Sequence, residues 1–90
     1  MKLQLEHSYN GDIERTGHDT AEGVMAYILS DVMAVAGKLV KSADQFVLDA
    51  RRQDLKAFVE YFNYIRLPFG HTLRVSVQEP DGMWRPWIGY

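Results

Sequence analysis

Hydrophobic and polar positions change their spacing along this chain, and each change marks an element. Leu3, Leu5, His7 and Tyr9 alternate with Lys2, Gln4, Glu6 and Ser8. A period of two predicts a half-buried strand over 2–9. Asn10-Gly11 follows, a hairpin signal because both residues tolerate positive φ. A two-residue turn pairs Ser8 with Ile13 and sends Ile13 to the polar face. A three-residue loop, Asn10-Gly11-Asp12, pairs Tyr9 with Ile13 and keeps the apolar face continuous. The second register is the one expected, with a return strand over 13–16.

The spacing then becomes helical. Asp19-Thr20-Ala21-Glu22 is a capping-box pattern in which the Asp19 carboxylate accepts from the Glu22 amide, opening a helix expected over 20–40. Met25, Ile28, Leu29, Val32, Val35, Ala36 and Leu39 form its apolar stripe. Ala26, Tyr27, Met33 and Ala34 widen that stripe until only Glu22, Ser30 and Asp31 stay polar. A helix apolar around most of its circumference packs on more than one side. One small sheet offers little room for that, so a homodimer through helix 20–40, sealed by Met25, Ile28 and Val32, is expected as an option.

Ser42-Ala43-Asp44 interrupts the pattern. Phe46-Val47-Leu48 is either a short buried strand, with Asp49 capping a helix over 50–65, or part of one helix over 43–65. The Arg51-Arg52 pair breaks the stripe and tilts the reading towards the strand. Leu55, Phe58, Val59, Phe62 and Ile65 have clean helical spacing, and Pro68 is expected to hold Leu67 extended and end the helix. Leu73, Val75 and Val77 alternate inward over 72–78, and Glu79-Pro80-Asp81-Gly82 is a turn. The last strand contains Pro86, which lacks an amide donor and belongs at a sheet edge. The fold class is α+β: an antiparallel sheet of an N-terminal and a C-terminal hairpin with two helices on one face, one domain over 1–90.

Composition narrows the chemistry. With 47% hydrophobic and 24% charged residues the chain is globular rather than disordered. It contains no cysteine, which excludes disulfides, thiol catalysis and cysteine-ligated metal. The start is charged and alternating, unlike a secretory signal, and the apolar run 24–36 is shorter than the ~20 residues of a membrane span. A soluble, cytoplasmic protein is expected, with no membrane contact.

The net charge of −2 is unevenly distributed. Residues 1–36 carry two basic and six acidic side chains, whereas residues 37–76 carry seven and four. Glu6, Asp12, Glu14, Asp19, Glu22 and Asp31 can steer association with a basic partner.

No HExxH, GxSxG, P-loop or GxGxxG motif occurs, and His7, His18 and His71 lack ligand spacing. No metal, cofactor or catalytic residue is assigned. A small enzyme, if this is one, centres on His18 beside Asp19 and Thr20, the tightest polar cluster.

Two surfaces remain. Trp84, Arg85 and Trp87 form the candidate partner-binding anchor, because tryptophans three apart on a strand point to opposite faces and at least one leaves the core side. Arg51, Arg52, Lys56 and Arg66, with Tyr61 and Tyr64, form an alternative nucleic-acid face; Asp49, Asp54 and Glu60 interrupt it. The expected function is a non-enzymatic protein-binding module that occludes or bridges a protein partner. Alternatives are a nucleic-acid-binding regulator and an enzyme at His18. In type, a short acidic, cysteine-free α+β chain without a catalytic signature is similar to the small inhibitors and accessory proteins of phages and mobile elements, anti-CRISPR proteins among them.

Overall fold

The structure, a computed structural model, describes residues 2–36 and 42–87. Strands β1 (Leu3–Tyr9) and β2 (Asp12–His18) form one hairpin; β3 (His71–Gln78) and β4 (Trp84–Pro86) form the other. The hairpins join through antiparallel pairing of β1 with β3, giving one sheet in the order β2-β1-β3-β4. Helices α1 (Ala21–Tyr27), α2 (Met33–Ala36), α3 (Ser42–Ala50) and α4 (Leu55–Arg66) lie between the hairpins in sequence. The class is α+β, as the alternation of periods predicts.

Period two does the sorting. Leu3, Leu5 and His7 on β1 and His71, Leu73 and Val75 on β3 are buried. They meet Val24, Met25, Ile28, Val32, Leu48, Leu55, Phe58 and Phe62 from the helices. Each fully buried Leu, Ile or Phe contributes roughly 1.5–3 kcal/mol through removal of apolar surface from water. The alternate residues Gln4, Glu6, Ser8, Thr72, Arg74 and Ser76 lie on the other face, which none of the described helices covers.

The first hairpin departs from the expected register. Asn10 and Gly11 have φ of 51° and 87°, the two positive values of a type I′ turn. Ser8 therefore pairs with Ile13 and Tyr9 with Asp12, and β2 extends to His18. The turn's backbone requirement prevails because β2 is an outer strand with a single large apolar side chain. Ile13 is left 53% exposed on the uncovered face.

The first helix begins one residue later than its capping pattern suggests. Thr20, with extended backbone, is the N-cap, and its Oγ1 accepts from the Gly23 amide at 3.0 Å. Asp19 lies outside the helix. The helical path does not run as a uniform α-helix: residues Ile28–Val32 form a π-helical turn between α1 and α2. There the Ser30 hydroxyl donates to the Ala26 carbonyl at 2.9 Å, competing for the acceptor that an α-helical Ser30 amide uses. Met25, Ile28 and Val32, the residues expected to seal a homodimer, are buried within the monomer, where the helix contacts both the sheet and α4. They are not available to a second copy. Leu39 and the end of helix 20–40 lie outside the described residues.

Phe46-Val47-Leu48 is helical, which corrects the strand reading. Residues two apart share a side of a strand but lie on nearly opposite sides of a helix. Phe46 is 74% exposed and Leu48 fully buried, as the helix requires. The chain is not one continuous helix either, because a turn at residues 51–53 separates α3 from α4. Asp54, not Asp49, caps α4 by accepting from the Lys56 and Ala57 amides. Leu67 is helical (φ −54°, ψ −43°), and Pro68 sits in the first turn of a 3₁₀ segment, Leu67–Phe69, where its missing donor costs nothing. Gly70, at φ 84°, ends the helical run.

Candidate partner-binding site

Register decides what the C-terminal hairpin presents. Gln78 pairs with Trp84, Val77 with Arg85 and Ser76 with Pro86, and the Trp87 amide donates to the Val75 carbonyl at 2.8 Å. Trp84 consequently shares the uncovered face with Gln78 and Ser76. Trp87 falls on the core side beside Val75, where it lines a groove of about 210 Å³ with Leu55 and Val59. Its Nε1 is buried without a hydrogen-bond partner. Arg85 lies on that side too and pairs with Glu79 at 3.7 Å. The opposite-parity reading is realised, with the consequence that Trp84, Arg85 and Trp87 do not make one contiguous anchor.

Trp84 instead joins residues from the far edge of the sheet. With Lys2, Leu3, Gln4, Gly17, His18 and Asp19 it lines a trough of about 280 Å³ at the end of the sheet, where residues of both faces meet. Gly17 leaves its floor bare, since a Cβ built there meets nothing within 4 Å. His18 and Asp19, the residues of the enzyme reading, are thus brought together with the tryptophan of the binding reading. His18 is held by a 2.8 Å hydrogen bond between its Nε2 and Thr16 Oγ1 and by its ring lying 5.2 Å from Tyr27. Thr20 is committed to capping.

Beyond the trough, Arg15, Glu6 and Arg74 form a row across β2, β1 and β3. Arg15 Nε donates to Glu6 at 3.0 Å. The next row towards the hairpin tip is Ile13, Ser8 and Thr72. The face is therefore a polar field with apolar groups at two corners, Trp84 at 43% exposure and Ile13.

The basic helix face is smaller than the spacing suggests. Arg66 is 1% exposed, with its guanidinium 5.3 Å over Phe69, so it does not stand beside the other cations. Burial pushes its pKa down, and the Asp44 charge opposes that shift. Arg51 lies 5.0 Å over the Tyr61 ring and, with Glu60, Tyr61 and Tyr64, lines an open depression of about 330 Å³. Lys56 faces Glu60 at 3.9 Å, and Arg52 is exposed in the interhelical turn.

A fourth cleft, about 120 Å³, was not visible in the sequence. It lies between β2 and the π turn and is lined by His7, Glu14, Thr16, Tyr27 and Asp31 among apolar residues. The Tyr27 hydroxyl donates to Glu14 at 3.0 Å. Burial and then that bond push the phenol pKa up. The signal was present in the even positions Glu14, Thr16 and His18, which share the covered side only in the two-residue-turn register.

Among the described residues no group of three or more His, Cys, Asp or Glu is placed to hold a metal ion, and no helix is long and apolar enough to cross a membrane. Compared with known proteins, the chain matches no family model, no curated protein and no solved structure.

Proposed function

We propose that this chain is a non-enzymatic binding module that docks on a protein partner through the uncovered face of its sheet, with Trp84 as the anchor. The observation that carries this reading is the position of Trp84. It is a large aromatic left 43% exposed on the sheet face that the described helices leave bare, beside a trough with a backbone floor. Aromatic side chains of this kind supply most of the binding energy in interfaces when a partner completes their burial. The flanking Arg15–Glu6–Arg74 row provides register rather than affinity. Arg85 and Trp87 support the anchor through the strand that carries it.

The action is occlusion: a flat face laid over a partner's working surface, as in the small inhibitors of phages and mobile elements. The absence of cysteine suits a reducing compartment such as the cytoplasm.

The test is capture from nuclease-treated lysate of the source organism by immobilised wild-type and Trp84→Ala protein. One stoichiometric protein retained by the wild type and lost in the variant supports the reading. Equal capture by both contradicts it.

A second reading, nucleic-acid binding, is favoured by one arrangement only: Arg51, Tyr61 and Tyr64 line a common depression. Tyr64 is exposed and Tyr61 half-buried, and charge-assisted stacking on such rings binds single strands without sequence preference. It requires an affinity that falls steeply with salt, and capture that nuclease abolishes.

A further inference from the structure

The hairpin end of the sheet holds two imidazoles bonded to each other. His7 on β1 and His71 on β3 are 4% and 6% exposed, and His7 Nε2 lies 3.0 Å from His71 Nδ1. Their rings are nearly parallel, with centroids 5.2 Å apart, and Tyr9 stacks on both, at 4.8 and 5.6 Å. Just beyond them the two chain reversals abut. A Cβ on Gly70 would stand 3.2 Å from the Asn10 carboxamide oxygen.

A hydrogen bond between two imidazoles needs one N–H and one bare nitrogen. The neutral pair satisfies this with one proton in the bridge. A first additional proton can enter at an outer nitrogen and leave the bridge intact. A second must occupy the bridging acceptor, which removes the bond and leaves two buried cations in contact.

The surrounding groups weigh against that state. From α4, the Arg66 charge opposes a proton on His71. From β2, Glu14 favours a proton on His7, but its effect is smaller than those of burial and of His71. From α1 and the π turn, Tyr27 and Asp31 line the cleft that His7 also lines, and Tyr9 completes the stack.

We propose that the His7–His71 pair is an acid-operated latch, closing the hairpin end of β1 against β3 while neutral and releasing it when both rings are protonated. Burial, first, and the neighbouring positive charge, second, hold both imidazoles below their ordinary range. Opening therefore takes up protons. By linkage, the opening equilibrium rises about tenfold per pH unit for one proton and about a hundredfold for two, below the ordinary imidazole value of about 6.5. The device is independent of the proposed partner.

The test is amide hydrogen exchange between pH 7.5 and 5, corrected for intrinsic rates, with the imidazole resonances followed in the same samples. The expected result is a loss of protection at Ser8 and Thr72, whose amides face each other across β1 and β3, of more than tenfold per pH unit below about 6.5, with protection at Gln78 retained. His71→Phe, which keeps a ring in the stack, is expected to lower that slope to tenfold or less. If this variant does not fold, the wild-type data decide alone. Equal loss at both ends of the sheet, no loss at either, or both rings titrating near 6.5 with the tip still protected overturns the latch.

Discussion

The side-chain amide of Asn63 occupies both backbone groups of Leu73. The Leu73 N–H donates to Asn63 Oδ1 at 2.7 Å, and Asn63 Nδ2 donates to the Leu73 carbonyl at 3.0 Å. Among the described residues β4 pairs only with Ser76, Val77 and Gln78, and none of them lies as a strand beside Leu73 on that side. A carboxamide from α4 stands in for one, tying the helix to the sheet and blunting the edge against pairing with another chain.

Removing this clamp is expected to be costly. Asn63→Ala leaves a part-buried donor and acceptor without partners, at about 1–3 kcal/mol. Urea denaturation at neutral pH measures it, and a variant as stable as the wild type contradicts the assignment.

The two tryptophans are expected to separate stability from binding. Trp87→Ala opens a cavity beside Leu55 and Val59 and should cost about 1–3 kcal/mol. Trp84→Ala should stay within about 0.5 kcal/mol of the wild type, as ordinary surface changes do. Equal losses in thermal or chemical denaturation would reverse the facing assigned to them.

Two glycines should respond oppositely to alanine. At Gly70 the φ of 84° and the proximity of Asn10 both oppose a side chain, so Gly70→Ala should cost about 1–2 kcal/mol. Gly17→Ala meets open space and should leave stability within about 0.5 kcal/mol while shallowing the trough beside Trp84. Circular dichroism melts of the two variants distinguish these outcomes.

An alkaline prediction follows from Tyr27. Its phenol pKa is raised in the folded chain by burial and by its bond to Glu14. The folded state thus holds the proton more tightly than the unfolded state. The resulting stability is full below the ordinary phenol value of about 10 and is lost as pH rises through the folded value. Tyr27→Phe should flatten the decline in stability above pH ~10 relative to the wild type. Parallel declines in the two proteins would show that Tyr27 contributes nothing there.

Local pattern made much of this molecule legible. The alternation of Leu3, Leu5 and His7 and of Leu73, Val75 and Val77 specified which faces meet, and Leu55 to Ile65 specified α4. Pro86 marked an edge, and the spacing of Trp84 and Trp87 foretold their opposite faces. Failures came where one residue had to arbitrate. Ile13 alone argued for a register that the Asn10-Gly11 backbone overrode. Phe46 and Leu48 looked like a strand because a three-residue apolar run carries no period. The trough was out of reach because Gly17 and Trp84 stand on opposite edges of the sheet, and only the order β2-β1-β3-β4 relates them. His7 and His71, 64 residues apart, meet only through the pairing of β1 with β3.

The claim that the uncovered sheet face receives the partner is tested most directly by hydroxyl-radical footprinting of the protein, free and after incubation in lysate of its source organism. The account expects protection of Trp84, Ile13 and Arg74, with Phe46 and Tyr64 on the helical side labelled as in the free protein. Protection of Tyr64 and Arg51 with Trp84 unchanged contradicts it and places the interface on the helices.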